Sequence, residues 1–487
     1  MKSRGGVRVG LLILATALVA LVLVRLRSIG SEPDSQVPWA EPLVERDLPE
    51  VRSDTLRVLV LRDPLSWEVR PQAESGLEWE LMERLAGNLK VPVVAVQIGH
   101  PDSLWMALQR GRGDVIAAQL TPRRDHRRWV LFTDPYRHVA PVMASLRRDP
   151  LSSKGRSGPT VGPAMDSLVL GLASPFRDTQ YRFDEQFCVA KLPASDSTCT
   201  ADDLLMDLVL GRLQAAVVTD AHAAHEAVRL PLVEFSGPIG PPQPLCFAVR
   251  KNAPALLNAL NEALANDARS GALKHLFNGY RATRSPAAGP IRAKRAIPVN
   301  GDSISPYDDA FRSYAGALTW DWHLLVAMAY QESRFDSTAV SHMGAHGIMQ
   351  LMPRTAERLG LDSSHAMEAH IGAAVRFVNR LDTLWRRAVP DPEQRLRFVL
   401  ASYNAGHGHV IDAQRLAEQL GLDPRRWDQH VERAILLLAR PRFYLRPGMR
   451  NGYCNGAQVF HYVRDVVSRY RELKRDVTDP EGRSSGN

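Results

Sequence analysis

Short apolar runs with strand character alternate with amphipathic helical runs in the first half of this 487-residue chain. In the order strand, helix, strand, helix, strand, they cover residues 56–61, 77–85, 93–97, 104–109 and 113–118. Strands that alternate with helices in this way are typical of an α/β domain built on a parallel sheet. The pattern therefore predicts an α/β domain here.

Two stretches of linker composition divide the chain. Residues 31–54 contain prolines and acidic residues, and residues 284–303 are rich in Pro, Gly, Ala and basic residues. We expect an α/β domain over residues 55–283 and a second, mainly helical domain over residues 304–475. A disordered tail is predicted over residues 476–487.

The first thirty residues have the character of a secretion signal or membrane anchor. An uncharged apolar run over residues 9–24 is flanked by Lys2, Arg4, Arg8, Arg25 and Arg27. The run is somewhat shorter than the roughly 20 residues of a spanning helix. The small-residue sequence Ala15-Thr16-Ala17 lies inside it and not after it. This favours a retained inner-membrane anchor for a periplasmic protein, with peripheral association at the outer membrane as the alternative.

The charge distribution argues against a nucleic-acid partner. The net charge is +8, of which residues 1–30 contribute +5, so only +3 remains for the rest of the chain. A nucleic-acid footprint needs a clustered basic excess in the folded part, and none is evident. The small positive remainder is compatible with an anionic cell-wall polymer.

Glu332 is the leading candidate for an acid catalyst. Leu325, Met328 and Glu332 are spaced to lie on one face of a helix, which places the carboxyl beside apolar residues. Such surroundings raise the pKa of a carboxyl and keep its proton available near neutral pH. The alternative is a partly buried Glu in a structural pair with an Arg.

Three motifs follow in order through the second half of the chain. E-S-x-F occupies residues 332–335, S-x-x-G-A-x-G-I-M-Q residues 341–350, and Y-N-A-G residues 403–406. Together they resemble the lytic transglycosylases of the goose-type lysozyme superfamily, over roughly residues 304–470. The resemblance implies a lysozyme-like, mainly α-helical domain that acts on peptidoglycan glycan strands.

The resemblance also implies roles for individual residues. It assigns Glu332 as catalytic acid/base, Ser341 near the reacting N-acetyl sugar, Met349 and Gln350 on the groove floor, Tyr403 and Asn404 in the Y-N-A-G segment, and Tyr462 as the active-site tyrosine. Gln458 stands four residues before Tyr462, where the family carries Glu. That substitution weakens any role that needs a charge at this position.

The motifs contain one acidic residue with a family role, whereas ordinary retaining and inverting glycosidases use two carboxylates. The family mechanism needs only one. It implies that Glu332 protonates the oxygen between N-acetylmuramic acid and N-acetylglucosamine, and then accepts the C6 hydroxyl proton. The product is a 1,6-anhydro sugar. A hydrolytic lysozyme and a non-enzymatic glycan or solute sensor are the alternatives.

The α/β region resembles the type 3 periplasmic solute-binding domain. The matching segments are G-L-E-W-E-L at 76–81, G-D-V-I-A-A-Q-L-T at 113–121 and F-T-D-P-Y at 132–136, with a second lobe around 211–220 and a returning strand at 245–250. The resemblance implies two lobes that close around a ligand and so modulate the second domain. An amino acid or a muropeptide stem is the implied ligand.

Two residues match the ligand-binding positions of that family. Asp220 matches the aspartate that binds the ammonium group of the ligand. Arg124 matches the arginine that binds the carboxylate group of the ligand, but this match requires a shorter loop. Without a gap, His126 stands at that position. A solvated basic loop is the alternative reading of this segment.

The chain carries no pattern for a metal or cofactor. Cys188 and Cys199 are close enough in sequence to close a loop, whereas Cys246 and Cys454 look unpaired. The sequence His407-Gly408-His409 lacks the further ligands that a metal site needs, so we expect a solvated loop there.

Overall fold

The computed structural model describes residues 41–71, 73–147, 168–170, 173–176, 189–190, 200–281, 303–361 and 367–478. The predicted anchor over residues 9–24 lies outside these ranges, as do Cys188 and Cys199. Within these ranges, every helix is too short or too polar to span a bilayer.

The strands belong to a two-lobed α/β domain. They are β1 (Leu56–Val60), β2 (Glu68–Val69), β3 (Glu74–Ser75), β4 (Val93–Gln97), β5 (Val115–Leu120), β6 (Val130–Phe132), β7 (Arg137–Val139), β8 (Pro141–Leu146), β9 (Leu168–Leu170), β10 (Val189–Ala190), β11 (Ala215–Thr219), β12 (Val233–Pro238) and β13 (Gln243–Arg250). The helices of this domain are α1 (Leu48–Arg52), α2 (Leu77–Leu89), α3 (Ser103–Gln109), α4 (Ala201–Val209), α5 (Asp220–Glu226), α6 (Pro254–Arg269) and α7 (Ala272–Tyr280).

The first lobe is built on a sheet with the strand order β4-β1-β5-β13-β6. Strand β1 runs parallel to β4 and β5, as the alternation of strands and helices predicts. Strand β13 is antiparallel to β5 and β6 because it returns from the other lobe. The strands of the alternating segment are parallel as predicted, and the returning strand β13 makes the whole sheet mixed.

The second lobe carries a separate sheet with the order β10-β9-β11-β8-β12. The chain enters this lobe between β7 and β8, through Ala140, and leaves it between β12 and β13. Two crossing segments therefore join the lobes, which leaves a cleft between them. The cleft lies at the end of β1 and at the start of α5.

The second domain is helical. Its helices are α8 (Asp308–Ala315), α9 (His323–Ser333), α10 (Pro353–Arg358), α11 (Met367–Arg386), α12 (Pro392–Ala405), α13 (His407–Gln419), α14 (Glu432–Leu437), α15 (Pro441–Tyr444) and α16 (Gly456–Thr478). Helix α9 is buried over most of its length and packs against α16. Helix α16 ends at Thr478, inside the range for which a tail is predicted.

The helical domain packs directly on the second lobe. Leu204, Leu205 and Leu208 of α4 are essentially inaccessible to solvent and belong to the same apolar core as the centre of the helical domain. Burial of such leucines contributes about 1.5–3 kcal/mol per side chain. The two domains therefore share one core, although composition separates them along the chain.

Buried charges accompany this apolar contact. Arg440 of the helical domain pairs with Glu226 and lies 3.5 Å from a carboxylate oxygen of Asp202, both in the second lobe. Arg442 pairs with Asp203 and lies 3.4 Å from the other Asp202 oxygen. Each arginine thus contacts two carboxylates at the domain junction.

Candidate active site

Helix α9 ends abruptly just after Glu332. Arg334 and Phe335 adopt φ values of 58° and 68°, in the left-handed region that side chains other than glycine rarely occupy. The Arg334 N–H donates to Tyr330 O at 3.2 Å and closes the last turn. Such paired backbone strain costs of order 1–3 kcal/mol per residue and persists where the surroundings enforce it. The helix therefore ends directly after Ser333, which leaves Glu332 in its final turn.

The surroundings of Glu332 favour the protonated form of its carboxyl. Glu332 is only partly exposed, and burial raises the pKa of its carboxyl to about 7, although a hydrogen bond from Tyr462 lowers it in part. The Tyr462 hydroxyl donates to Glu332 Oε1 at 2.7 Å. Within the described part of the chain, no charged side chain contributes to this shift. Burial rather than an ion pair therefore sets the protonation of Glu332, which argues against the structural-pair alternative.

Two hydroxyl groups hold the loop of residues 341–351 beside Glu332. Ser333 Oγ donates to Ile348 O at 2.9 Å, and the Tyr403 hydroxyl donates to Met349 O at 2.7 Å. Both bonds end on backbone carbonyls, so they fix the path of the loop and not one of its side chains. The three sequence motifs thus meet at one place in the fold.

The predicted substrate-binding residues lie around this place in different ways. Ser341 Oγ accepts a hydrogen bond from Ala345 N at 2.9 Å, and the Gln350 amide donates to Ala339 O and Gly347 O, both at 2.9 Å. These polar groups shape the loop from within.

Met349 and Asn404 differ in their access to solvent. The Met349 side chain is fully buried, so it supports the site from beneath and does not face solvent as a groove-floor residue would. Asn404 is half-buried at the end of α12, and its amide has no hydrogen-bond partner within the described ranges. Asn404 is therefore the residue of the two that is available to a substrate.

Among the residues that the structure describes, no second carboxylate is paired with Glu332. Asp336 lies beyond the end of α9, is exposed, and accepts hydrogen bonds from Thr338 N at 2.8 Å and Thr338 Oγ1 at 2.7 Å. Gln458 is exposed in the first turn of α16. The arrangement therefore suits chemistry that uses one carboxyl.

The α/β domain does not place Arg124 and Asp220 together in its cleft. Arg124 is exposed, and the Asp220 carboxylate accepts a hydrogen bond from Ala140 N, at 3.1 Å, in the crossing segment. Neither side chain lines the cavities of the cleft. In this conformation the Asp220 carboxylate contacts the hinge backbone, and the carboxylate and ammonium clamp stays a prediction.

A different set of side chains lines the cleft. A cavity of about 360 Å³ on the side of the first lobe is lined by Trp105, Thr121, Arg123, His126 and Ser174, among others. The His126 ring lies 4.0 Å from the Trp105 ring, centroid to centroid. The residue at the ungapped position, His126, lies at this cavity, whereas Arg124 does not line it.

The remaining sequence predictions concern metals and cysteines. Within the described ranges no cluster of metal-ligating side chains is present. The predicted solvated loop at His407-Gly408-His409 is wrong, since these residues form the first turn of α13. Cys246 and Cys454 are free and buried.

Comparison with known families accounts for both domains. Residues 56–283 match the bacterial extracellular solute-binding proteins, family 3, and residues 309–423 match the Transglycosylase SLT domain. The second match covers Glu332 and all three motifs but ends before Tyr462. The chain therefore carries these two domains in this order.

Curated relatives extend over most of the chain. It is 28% identical to the membrane-bound lytic murein transglycosylase F of Desulfosudis oleivorans, over 86% of this chain and 89% of that protein. It is also 28% identical to the protein of the same name from Ectopseudomonas mendocina, over 96% of this chain and 92% of that protein. A solved ancestral cationic amino acid solute-binding protein is 24% identical, with a TM-score of 0.37, over 48% of this chain and 99% of that chain.

Proposed function

We propose that this chain, in which a family 3 solute-binding domain precedes a Transglycosylase SLT domain, is a murein-degrading lytic transglycosylase. The observation that carries the proposal is the isolated Glu332 carboxyl, whose pKa burial raises to about 7 beside the Tyr462 hydroxyl. A carboxyl with a pKa near the working pH is suited to act first as an acid and then as a base.

Glu332 acts twice in the proposed reaction. It first donates its proton to the glycosidic oxygen between N-acetylmuramic acid and N-acetylglucosamine, and the bond from this oxygen to the muramic C1 breaks. The substrate's N-acetyl group stabilises the electron-poor C1. Glu332, now a carboxylate, then removes the C6 hydroxyl proton as that oxygen bonds to C1. No water enters, and the carboxyl regains its proton.

Mass spectrometry of the products from purified murein sacculi tests the reaction class. A lytic transglycosylase leaves 1,6-anhydromuramic ends, which are lighter by one water than the ends that a hydrolase leaves. Reducing muramic ends would instead identify a hydrolytic lysozyme. Absence of cleavage with intact glycan binding would identify a non-enzymatic sensor.

Tyr462→Phe is expected to change the pH dependence of cleavage. The Tyr462 hydroxyl stabilises the Glu332 carboxylate, so its removal raises the pKa of Glu332 above about 7. Glu332 then stays protonated up to a higher pH, so the alkaline limb of the pH–rate profile shifts to higher pH. The maximal rate falls about tenfold, as expected for loss of a hydrogen bond to a charged group.

The matched control is Tyr307→Phe, which removes a hydroxyl from the same domain at the start of α8. It should leave both the rate and the pH profile near those of the wild type. An unshifted alkaline limb in Tyr462→Phe would contradict the role assigned to this hydroxyl.

We also propose the domain boundaries given by the sequence. Residues 304–487 expressed alone should fold and cleave murein, because Glu332, Tyr462 and the three motifs lie within them. Separation exposes Arg440 and Arg442 to water, where their charges are readily hydrated. The fragment loses its buried contacts with the second lobe, so it should be less stable than the whole chain yet active. Circular dichroism and murein release measure the two properties. A folded but inactive fragment would show that the α/β domain completes the active site.

The proposed location is the periplasm, in contact with a membrane. The apolar run over residues 9–24 and its flanking basic residues support a retained inner-membrane anchor. Fractionation of membranes, together with N-terminal sequencing of the mature protein, distinguishes a retained anchor from a cleaved signal and inner from outer membrane association.

We further propose that the α/β domain takes a small solute with amino and carboxyl groups, such as an amino acid or a muropeptide stem. The family match and the cavity lined by Arg123, Trp105 and His126 support a ligand of this size. Calorimetry on residues 31–487 with both solute classes tests binding, and murein cleavage by the same protein tests whether binding modulates activity.

A further inference from the structure

One ion pair crosses the cleft of the α/β domain. His222 of α5, in the second lobe, places Nε2 at 3.0 Å from Asp63 Oδ1 and 3.2 Å from Asp63 Oδ2, and Asp63 follows β1 in the first lobe. Both side chains are only 3% exposed. His222 Nδ1 lies 2.8 Å from Thr219 Oγ1, so both ring nitrogens have partners.

Asp63 makes further contacts with both lobes. It accepts hydrogen bonds from Leu65 N at 2.9 Å and from the Gln119 amide at 3.2 Å in the first lobe. It also accepts one from Asp202 N, at 3.3 Å, in the second lobe. The cavity that remains beside this pair measures about 20 Å³, room for about one water molecule. The centre of the cleft is thus filled by the protein's own side chains.

The charges around His222 favour its cationic form. Burial alone lowers the pKa of His222, but Asp63, then Glu226 and Asp202, outweigh this effect and hold the pKa above its usual value. Burial likewise raises the pKa of Asp63, and His222 reverses this to about 2. Arg440 and Arg442 of the helical domain neutralise Glu226 and Asp202, and the buried Glu78 of the first lobe interacts with Asp63.

Closure of the lobes also assembles the surface on which the helical domain docks. Asp202 donates its backbone N–H to Asp63, while its side chain faces Arg440 and Arg442. Asp202 thus contacts the first lobe through its backbone and the helical domain through its side chain. The bond to Asp63 therefore also fixes where the Asp202 carboxylate lies. A closed cleft and a docked helical domain therefore support each other.

We propose that His222 latches the two lobes shut on Asp63, so that the solute-binding domain of this chain closes without a solute. Asp63 is the carboxylate, and His222 the basic group, among the described residues that line the small central cavity. A solute that carries an ammonium group must therefore displace His222 from Asp63 to bind at the centre. The proposal concerns the conformation of the α/β domain and stands apart from the murein reaction.

Distance measurement between the lobes tests the latch. Spin labels are attached through non-natural amino acids at two exposed positions, Arg110 in the first lobe and Glu234 in the second. Double electron–electron resonance then measures the distance between the labels in the full chain. Wild-type protein without solute should give one narrow distribution. In His222→Ala the ratio of closed to open molecules should fall by roughly a hundredfold to a few thousandfold, the range that corresponds to breaking a buried ion pair.

Two further variants keep the test decisive. His222→Gln retains an N–H group for Asp63 but no charge, so it should fold and show a partial shift toward open molecules. His275→Ala, which removes an exposed histidine of α7 in the first lobe, away from both cavities of the cleft, should match the wild type. A broad or long distribution in solute-free wild type, narrowing on addition of a solute, overturns the proposal. An unchanged narrow distribution in both His222 variants also overturns it.

Discussion

Glu332→Gln is expected to lower the rate of murein cleavage by roughly a thousandfold or more, while glycan binding stays near that of the wild type. The amide keeps the shape of the carboxyl and can still accept a hydrogen bond from Tyr462, but it has no transferable proton. General acid–base catalysis by one group is typically worth 10²–10⁴-fold. Here one carboxyl carries both proton transfers, which places the expected effect in the upper part of that range.

Release of soluble muropeptides from sacculi measures the rate, and co-sedimentation with sacculi measures binding. Asp336→Asn is the matched control, since Asp336 is an exposed carboxyl just beyond the same helix. It should retain nearly full activity. A Glu332→Gln enzyme that cleaves at a rate near the wild type would mean that Glu332 is not the acid.

Arg440→Ala is expected to have the largest effect on stability. The substitution leaves Glu226 buried without its main cation and removes one of the two arginines beside Asp202. Burial tends to raise the pKa of Glu226, and Arg440 is the principal group that keeps it lowered. Breaking a buried pair by removing one partner typically costs about 3–5 kcal/mol. We therefore expect the docked arrangement to be destabilised by an amount of this order.

Differential scanning calorimetry detects this change as a fall in the main melting temperature, with separate transitions for the two domains. Arg425→Ala, which removes an exposed arginine of the helical domain, serves as control and should melt like the wild type. The double variant Arg440→Met with Glu226→Gln removes both charges and should recover part of the loss. An unchanged melting curve for Arg440→Ala would show that the pair adds nothing to docking.

The sequence predicted the grouping of the three motifs better than it predicted the contacts inside the cleft. The Glu332 helix and the three motifs follow local patterns, and the fold does bring them together. Met349 was placed on the groove floor, but a buried methionine and an exposed one look alike in sequence. Asp220 stands at the family's aspartate position, yet its carboxylate accepts a hydrogen bond from the hinge backbone at Ala140. Local spacing cannot report such a competing partner.

The charged contacts between domains could not be predicted at all. Glu226 and Arg440 are 214 residues apart, and each stands among other charged residues in the sequence. Nothing local distinguishes Arg440 from Arg425, although one is buried and the other exposed. The same holds for Asp63 and His222, which are 159 residues apart. Pairs of this kind become visible only when the fold brings distant segments together.

The shared core between the second lobe and the helical domain has a consequence for biosynthesis. Leu204, Leu205 and Leu208 emerge from the ribosome long before the helices that cover them. During that interval the second lobe presents an uncovered apolar face, with the carboxylates of Asp202 and Glu226 still lacking their arginines. Such faces favour aggregation of nascent chains. We therefore expect chains truncated before residue 303 to accumulate poorly in cells, and the helical domain to act as an intramolecular chaperone for the domain made before it.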